Sequence, residues 1–123
     1  MFDIDPIMAD VSRDGLNKVH ATRRLNDTFR RTFAGGTVVV TPGVRALDPT
    51  NHRALLKAVQ TFDAFATEND PYEERDFGAV EHNGERYFWK IDYYDLGLSN
   101  ASPDPSDPEL TIRVMTIMRA DEY

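Results

Sequence analysis

The sequence predicts a single α+β domain whose elements follow in the order α-β-α-β-β-β. Two segments repeat apolar residues at helical spacing, four are β-branched or alternate like strands, and an Asn-Gly pair joins two of those strands. A chain of 123 residues with 41% hydrophobic residues suits one core. We therefore expect a mostly antiparallel four-stranded sheet with the helices packed on one face, within residues 13–123.

The first helix is predicted between about Asp14 and Phe33, after a loose arm over residues 1–12 that shows no sustained periodicity. Its apolar stripe comprises Val19, Thr22, Leu25, Phe29 and Phe33. The opposite face carries His20, Arg23, Arg24, Asp27, Arg30 and Arg31. The pair Gly35-Gly36 readily adopts positive φ, so the helix is expected to end there.

A short strand and a second helix follow. Residues 37–41 are β-branched throughout, which favours a strand closed by the turn pair Pro42-Gly43. Asp48 can cap free amides and Pro49 suits the first helical position, so a helix is predicted over residues 49–67. Its apolar repeat comprises Leu55, Ala58, Val59, Phe62, Phe65 and Ala66.

The last three strands begin with a hairpin. Asn83-Gly84 is typical of a two-residue turn, which would place His82 opposite Glu85 and Gly78 opposite Trp89. One face of the hairpin then holds Val80, Tyr87, Trp89, Ile91 and Tyr93. Three prolines make residues 99–108 a loop, and alternation over residues 110–119 predicts the final strand.

Charge is distributed unevenly between the two halves of the chain. Residues 1–62 carry nine cations and six acids, whereas residues 63–123 carry five cations and fifteen acids, and the net charge is −7. This balance disfavours a basic duplex-binding protein. No apolar run is long enough for a membrane span, the N-terminus lacks signal-peptide cations, and there is no cysteine. We expect a cytoplasmic protein without disulfides.

The sequence indicates no catalytic residues and no cofactor. The three histidines occur singly, and neither a serine triad nor a phosphate-binding glycine loop is present. Four carboxylates flank a strand end and the loop beyond it: Asp92, Asp95, Asp104 and Asp107. Their spacing matches no known cation loop, and Asp-Pro units are ordinary turn initiators. A carboxylate-based, metal-dependent enzyme remains an alternative rather than the main hypothesis.

Binding to a basic protein surface is the main functional hypothesis. Acids along a surface can mimic phosphates and occupy a partner's basic groove. The candidate surface comprises Glu68, Asp70, Glu73, Glu74, Asp76, Asp92 and Asp95. As an alternative, the first helix could contact nucleic acid, against the negative field of the whole chain, through Arg23, Arg24, Arg30 and Arg31.

Several motifs resemble the family of domains of unknown function numbered 3768. They are Asn26-Asp27-Thr28-Phe29-Arg30, Thr41-Pro42-Gly43-Val44, Asn69-Asp70-Pro71-Tyr72, Asp76-Phe77-Gly78-Ala79, the run from Gly84 to Asp95 that includes Trp89-Lys90-Ile91-Asp92-Tyr93-Tyr94, Arg113-Val114-Met115-Thr116-Ile117-Met118 and Glu122-Tyr123. The resemblance spans residues 26–123 and implies a small bacterial protein, often carried on mobile elements, with no assigned activity. With the acidic half, it suggests an inhibitor of the anti-CRISPR or anti-restriction type.

Overall fold

The computed structural model describes the backbone of residues 6–123 and the side chains of residues 15–123. The helices are α1 (Pro6–Thr32), α2 (Pro42–Arg45) and α3 (Pro49–Gln60), and a short 3-10 turn covers Ala120–Glu122. The strands are β1 (Thr37–Val40), β2 (Phe77–His82), β3 (Glu85–Tyr94) and β4 (Ile112–Arg119). Within this described part of the chain, no helix has the length and apolar character needed to cross a membrane.

The four strands form one sheet in the order β1-β4-β3-β2. The pairs β2–β3 and β3–β4 are antiparallel, whereas β1 runs parallel to β4. A parallel neighbour needs a long crossover, and here the intervening chain supplies α2, α3 and the β2–β3 hairpin before β4 returns between β1 and β3. The predicted α+β class with a mostly antiparallel sheet is confirmed.

The hairpin register is the one that the Asn83-Gly84 pair predicts. His82 lies opposite Glu85 and Gly78 lies opposite Trp89. Asn83 and Gly84 both have positive φ, at 50° and 77°, as a type I′ turn requires. Because side chains alternate along a strand, this register fixes which residues of β3 face the helices.

The core lies between the helices and one face of the sheet. Phe29 of α1 and Leu55 and Val59 of α3 are fully buried against Trp89 of β3 and Ile117 of β4. The helices therefore cover one face, as predicted. The other face, which we call the open face, carries an aromatic cluster comprising Phe77, Phe88 and Tyr123.

Two helix boundaries differ from the prediction. α3 ends at Gln60 rather than near residue 67, and Phe62 and Phe65 then pack edge-on against Trp89 from a non-helical segment. Phe62 and Phe65 are three residues apart, which is also the spacing of a helical repeat. The segment is instead a turn, in which the Asn69 side chain accepts from the Ala66 N–H and donates to the Ala64 carbonyl. α1 begins at Pro6 rather than Asp14, since proline suits a first helical position. Residues 1–5 of the predicted arm lie outside the described residues.

The buried stripe of α1 is also rotated relative to the prediction. The buried residues are Thr22, Asn26, Phe29 and Arg30, whereas Val19, Leu25 and Phe33 are only half-buried. Placing Arg30 on the solvent face was wrong, because its side chain is 1% exposed. Its Nη1 donates to Asp27 and its guanidinium lies over aromatic rings, although its Nε has no hydrogen-bond partner, and apolar periodicity does not detect a polar residue buried in this way.

The short helix α2 follows β1 directly, where the sequence predicts only a turn. Pro42 occupies its first turn. Glu122, from the far end of the chain, accepts hydrogen bonds from the Thr41 hydroxyl at 2.7 Å and the Gly43 N–H at 2.9 Å. The C-terminal turn is thereby tied to the junction of β1 and α2.

Candidate binding surfaces

The acidic run between residues 68 and 76 is not a continuous exposed surface. Glu68 and Glu73 are exposed, but the Asp70 side chain is buried and accepts a hydrogen bond from the Arg75 N–H at 3.0 Å. Glu74 accepts a hydrogen bond from the Tyr93 hydroxyl at 2.8 Å, so it faces the core. Asp70 and Glu74 serve the fold in this structure.

Asp76 is the most perturbed acid of this run. It is half-buried, and burial followed by the negative charge of Glu74 raises the pKa of Asp76 to about 6. The same two influences, burial first and then the nearby acids Asp76 and Glu74, raise the pKa of Tyr93. Tyr93 therefore stays protonated and keeps its hydrogen to donate.

A polar network joins this run to α1 and β4. Asn26, which is fully buried, donates through Nδ2 to the Tyr93 hydroxyl at 2.7 Å and to the Glu74 carbonyl at 3.0 Å. Its Oδ1 accepts from Arg113 Nε at 2.9 Å, and Arg113 also donates to the Pro105 carbonyl and stacks on the Tyr93 ring. The sequence pattern predicts Tyr93 on one face of the hairpin but not its contacts with Asn26 and Arg113, because residues so far apart in the chain give no local signal.

The arginines of α1 divide between core and surface. Arg30 pairs with Asp27 at 3.0 Å and lies over the rings of Phe65 and Trp89, at 5.1 Å and 5.5 Å from their centroids. It cannot reach a nucleic acid from there. Arg24 and Arg31 are exposed and Arg23 is half-buried, so only these three members of the predicted basic face remain accessible.

A cleft of about 240 Å³ lies between α1 and the segment that follows α3. Its charged lining residues are Arg23, Arg75, Asp70 and Glu73. Arg75 is bound to Asp27 at 3.0 Å and stacks on Phe65. With both signs of charge on its wall, the cleft favours neither an anion nor a cation.

The open face of the sheet carries a second shallow groove of about 470 Å³. Lys90 and Asp92 line it and form an ion pair at 3.1 Å, and Tyr94 and Met118 provide apolar wall. Asp92 is thus neutralised by a neighbour on its own strand.

Residues 95–110, which we call the 95–110 segment, connect β3 to β4 through tight turns. The Asp95 carboxylate accepts from the N–H groups of Ser99 and Asn100 at 3.0 and 3.3 Å, and these bonds lower the pKa of Asp95. Asp104 accepts from the Ser106 N–H and hydroxyl, and Asp107 accepts from the Glu109 N–H. These carboxylates therefore shape the segment.

These carboxylates do not converge on a common point. Within the described residues, no group of three or more His, Asp or Glu side chains could hold a metal ion. In the described part of the chain, Asp92, Asp95, Asp104 and Asp107 therefore do not form a three-carboxylate cage of the kind that holds a cation.

Three leucines of the 95–110 segment are exposed. Leu96 and Leu98 are 60% and 59% exposed, and Leu110 is 41% exposed. The segment also holds four acids, comprising Asp95, Asp104, Asp107 and Glu109, and no lysine or arginine. Hydrogen bonds close the segment on itself beside the sheet. The Asp95 N–H donates to the Asn100 carbonyl, and the hydroxyls of Ser102 and Thr111 bond to each other. The alternation pattern counts Leu110 in the last strand, which in the structure begins at Ile112, and it assigns no role to Leu96 and Leu98.

The fold and its surfaces define a small α+β protein with an acidic, leucine-bearing loop at one end of a mixed sheet. The chain belongs to the family described as protein of unknown function (DUF3768), whose model matches residues 40–122, more than half of the chain. The match begins after most of β1, so α1 lies outside it. No curated protein and no solved structure matches the chain.

Proposed function

We propose that the protein is a non-enzymatic binding module that docks onto a basic partner through the 95–110 segment. One observation carries this proposal: Leu96, Leu98 and Leu110 are exposed in a segment that has four acids and no cation. Exposed apolar side chains surrounded by polar residues mark interaction sites, and leucines flanked by carboxylates suit a surface that is apolar and positively charged.

The turns of the segment support binding in a second way. Carboxylate caps at Asp95, Asp104 and Asp107 hold the chain in a defined conformation before any partner arrives. A loop that is already ordered loses less conformational entropy on binding. The leucines supply apolar contact area, and the acids speed association by attracting a basic surface.

The inhibitor hypothesis is one form of this proposal. In that form the partner is a protein with a basic nucleic-acid-binding surface, and the carboxylates of the segment lie where phosphates would otherwise bind. The partner then loses its nucleic-acid binding when the complex forms. Of the surface predicted from sequence, Asp95 belongs to the segment, and Glu68 and Glu73 are the exposed acids elsewhere.

The experiment captures binding partners on the full chain and then measures the affinity of the purified partner. We expect a basic partner, and we expect Leu96→Ser with Leu98→Ser to weaken its binding at least tenfold, since each exposed leucine that becomes buried contributes about 1–2 kcal/mol. Asp107→Asn with Glu109→Gln should slow association and reduce its salt dependence.

Two matched controls separate this segment from the rest of the surface. Leu16→Ser removes an equally exposed leucine, 51% exposed, from α1 and should leave the affinity unchanged. Glu68→Gln with Glu73→Gln removes two exposed acids that lie outside the segment and should also leave the affinity unchanged. An acidic partner, or equal losses from Leu16→Ser and from the Leu96 and Leu98 changes, would contradict the proposal. Retained nucleic-acid binding by the complexed partner would contradict its inhibitor form alone.

A further inference from the structure

The strand β1 lies at one edge of the sheet and, although it is only four residues long, it carries no charged side chain of its own. Natural edge strands are guarded by charged side chains, prolines or bulges that discourage pairing with another chain. Residues 32–44 contain no charged residue, and β1 itself reads Thr37-Val38-Val39-Val40. Thr37 and Val39 are exposed, Val39 to 41%.

The strand at the opposite edge, β2, does carry protection against pairing. β2 ends in Glu81 and His82. His82 hydrogen-bonds to Asn51 Oδ1 of α3 at 2.9 Å, and the adjacent Asn83 donates to the same oxygen at 3.0 Å. Glu81 thus places a charge on β2 and Asn51 of α3 bonds its last residue, whereas on the outer side of β1 the Arg45 guanidinium donates to the Val40 carbonyl.

Main-chain groups of β1 point outward at Val38 and Val40. The Thr41 N–H donates to the Ile117 carbonyl of β4 at 3.1 Å, so Thr41, Val39 and Thr37 direct their main-chain groups inward. Successive residues of a strand alternate in this direction, which leaves the N–H and C=O of Val38 and Val40 facing away from β4. The Arg45 guanidinium donates to the Val40 carbonyl at 3.4 Å, as an outward carbonyl allows.

We propose that β1 pairs antiparallel with β1 of a second copy of this chain, so that two four-stranded sheets join into one. A two-fold axis perpendicular to the sheet and midway between the two Val39 residues keeps both open faces on the same side. It sets Val38 opposite Val40 of the other copy, and these are the residues whose main-chain groups face away from β4. Val39 meets Val39, and Thr37 meets Thr41, so only uncharged β-branched residues come together.

A second copy fits this edge better than an unrelated strand. The uncharged edge has no charge with which to select a foreign partner, and it meets its own copy without repulsion although the chain carries −7. The self-paired register also satisfies the outward groups of both copies by symmetry. Four-residue strands bury less than the roughly 1,200 Å² of a stable interface, so we expect a weak dimer.

Arg45 is the residue that limits this association. Its side chain is exposed and its bond to the Val40 carbonyl is long, at 3.4 Å, so it can swing away when a second strand arrives. The Arg45 guanidinium occupies the Val40 carbonyl, which must accept a hydrogen bond from the second strand in the dimer. Removing it should therefore favour pairing.

The test is sedimentation equilibrium of the full chain at concentrations from about 5 μM to 1 mM, a range that brackets a weak dimer. We expect the average mass to rise from monomer toward dimer. Val39→Lys should abolish the rise, because two lysines would meet at the axis. The matched control Val39→Thr keeps an uncharged β-branched residue and should leave it intact. Arg45→Ala should strengthen association several-fold.

Each alternative outcome overturns the proposal. A wild-type mass that stays monomeric throughout, association that survives Val39→Lys, or an Arg45→Ala variant that associates less than the wild type would each do so. A monomer that adds an unrelated extended peptide at this edge would overturn the second copy as occupant. If Val39→Lys fails to fold, as judged by its circular dichroism, the Arg45→Ala comparison still decides.

Discussion

Gly78 lies directly opposite Trp89 in the β2–β3 ladder, and the indole occupies the space where a side chain of residue 78 would stand. A Cβ at residue 78 would lie 2.6 Å from Trp89 Cε2 and 2.9 Å from Phe62 Cε1. The indole is fully buried and contacts Phe62 and Phe65 edge-on. The glycine therefore creates the room in which the aromatic core assembles.

Gly78→Ala should lower the free energy of unfolding by about 1–3 kcal/mol, the range for overpacking a tight core. Trp89 is the only tryptophan, so urea unfolding followed by its fluorescence measures both the stability and the local packing. The control is Gly97→Ala, where an added Cβ meets nothing closer than 3.8 Å. Unchanged stability and emission in Gly78→Ala would show that the indole has space to move.

The Tyr93 hydroxyl connects Asn26 to Glu74, and its removal should lower the free energy of unfolding. Tyr93→Phe leaves the Asn26 amide without its 2.7 Å acceptor and the Glu74 carboxylate without its 2.8 Å donor. Unpaired polar groups of this kind destabilise by about 1–3 kcal/mol. Chemical denaturation should show the loss. Tyr72→Phe, at a side chain that is 79% exposed, should show none.

The sequence was most informative where structure depends on neighbouring residues. Asn83 and Gly84 determine their own turn, and the turn determines the register of Gly78 against Trp89, so the hairpin was predicted residue by residue. The cap at Asp48 was similarly local, with its side chain accepting from the Asn51 N–H. Such features need no knowledge of the remaining chain.

The candidate site was predicted less well because it depends on distant residues. Glu74 resembles a solvated acid in the sequence, and only the approach of Tyr93 and Asn26 gives it a structural role. Arg30 likewise reads as a surface cation until Phe65 and Trp89 stack on it. Charge patterning located the acidic half, but burial decides which acids a partner can reach.

Asp76 should make the protein less stable as the pH rises through its folded pKa. Its pKa is raised from 3.8 to about 6, so between these values the folded state binds more protons than the unfolded state. Stability then falls with increasing pH over that interval and is flat, for this group, on either side. After allowance for solvent screening of a half-buried group, the penalty above pH 6 is about 1–2 kcal/mol.

Asp76→Asn should therefore stabilise the protein at pH 8 and not at pH 4. Urea titrations at both values measure the difference, and Asp63→Asn, at an exposed acid, is the matched control. Because the asparagine cannot ionise, the variant should also lose the decline between pH 4 and pH 6. A variant that is destabilised at pH 8 would mean that the Asp76 carboxylate has a charge-dependent partner in the folded state.

Glu122 shows the opposite pH behaviour, because hydrogen bonds stabilise its ionised form. Its carboxylate accepts from the Thr41 hydroxyl at 2.7 Å, and from the Gly43 and Arg119 N–H groups at 2.9 Å each. These bonds, with Thr41 the largest influence, lower the pKa of Glu122. A carboxyl with a lowered folded pKa contributes stability above its unfolded pKa and loses it as the pH falls through the folded value.

Glu122→Gln should therefore be less stable than the wild type at pH 7, and the two should converge as the pH falls below the ordinary glutamate value of 4.5. Thermal unfolding at a series of pH values measures this convergence, and Glu68→Gln, at an exposed acid, provides the control. A constant difference at every pH would assign the loss to altered packing. A difference that closes on acidification would show that the ionised carboxylate of Glu122 fastens the C-terminal turn to β1 and α2.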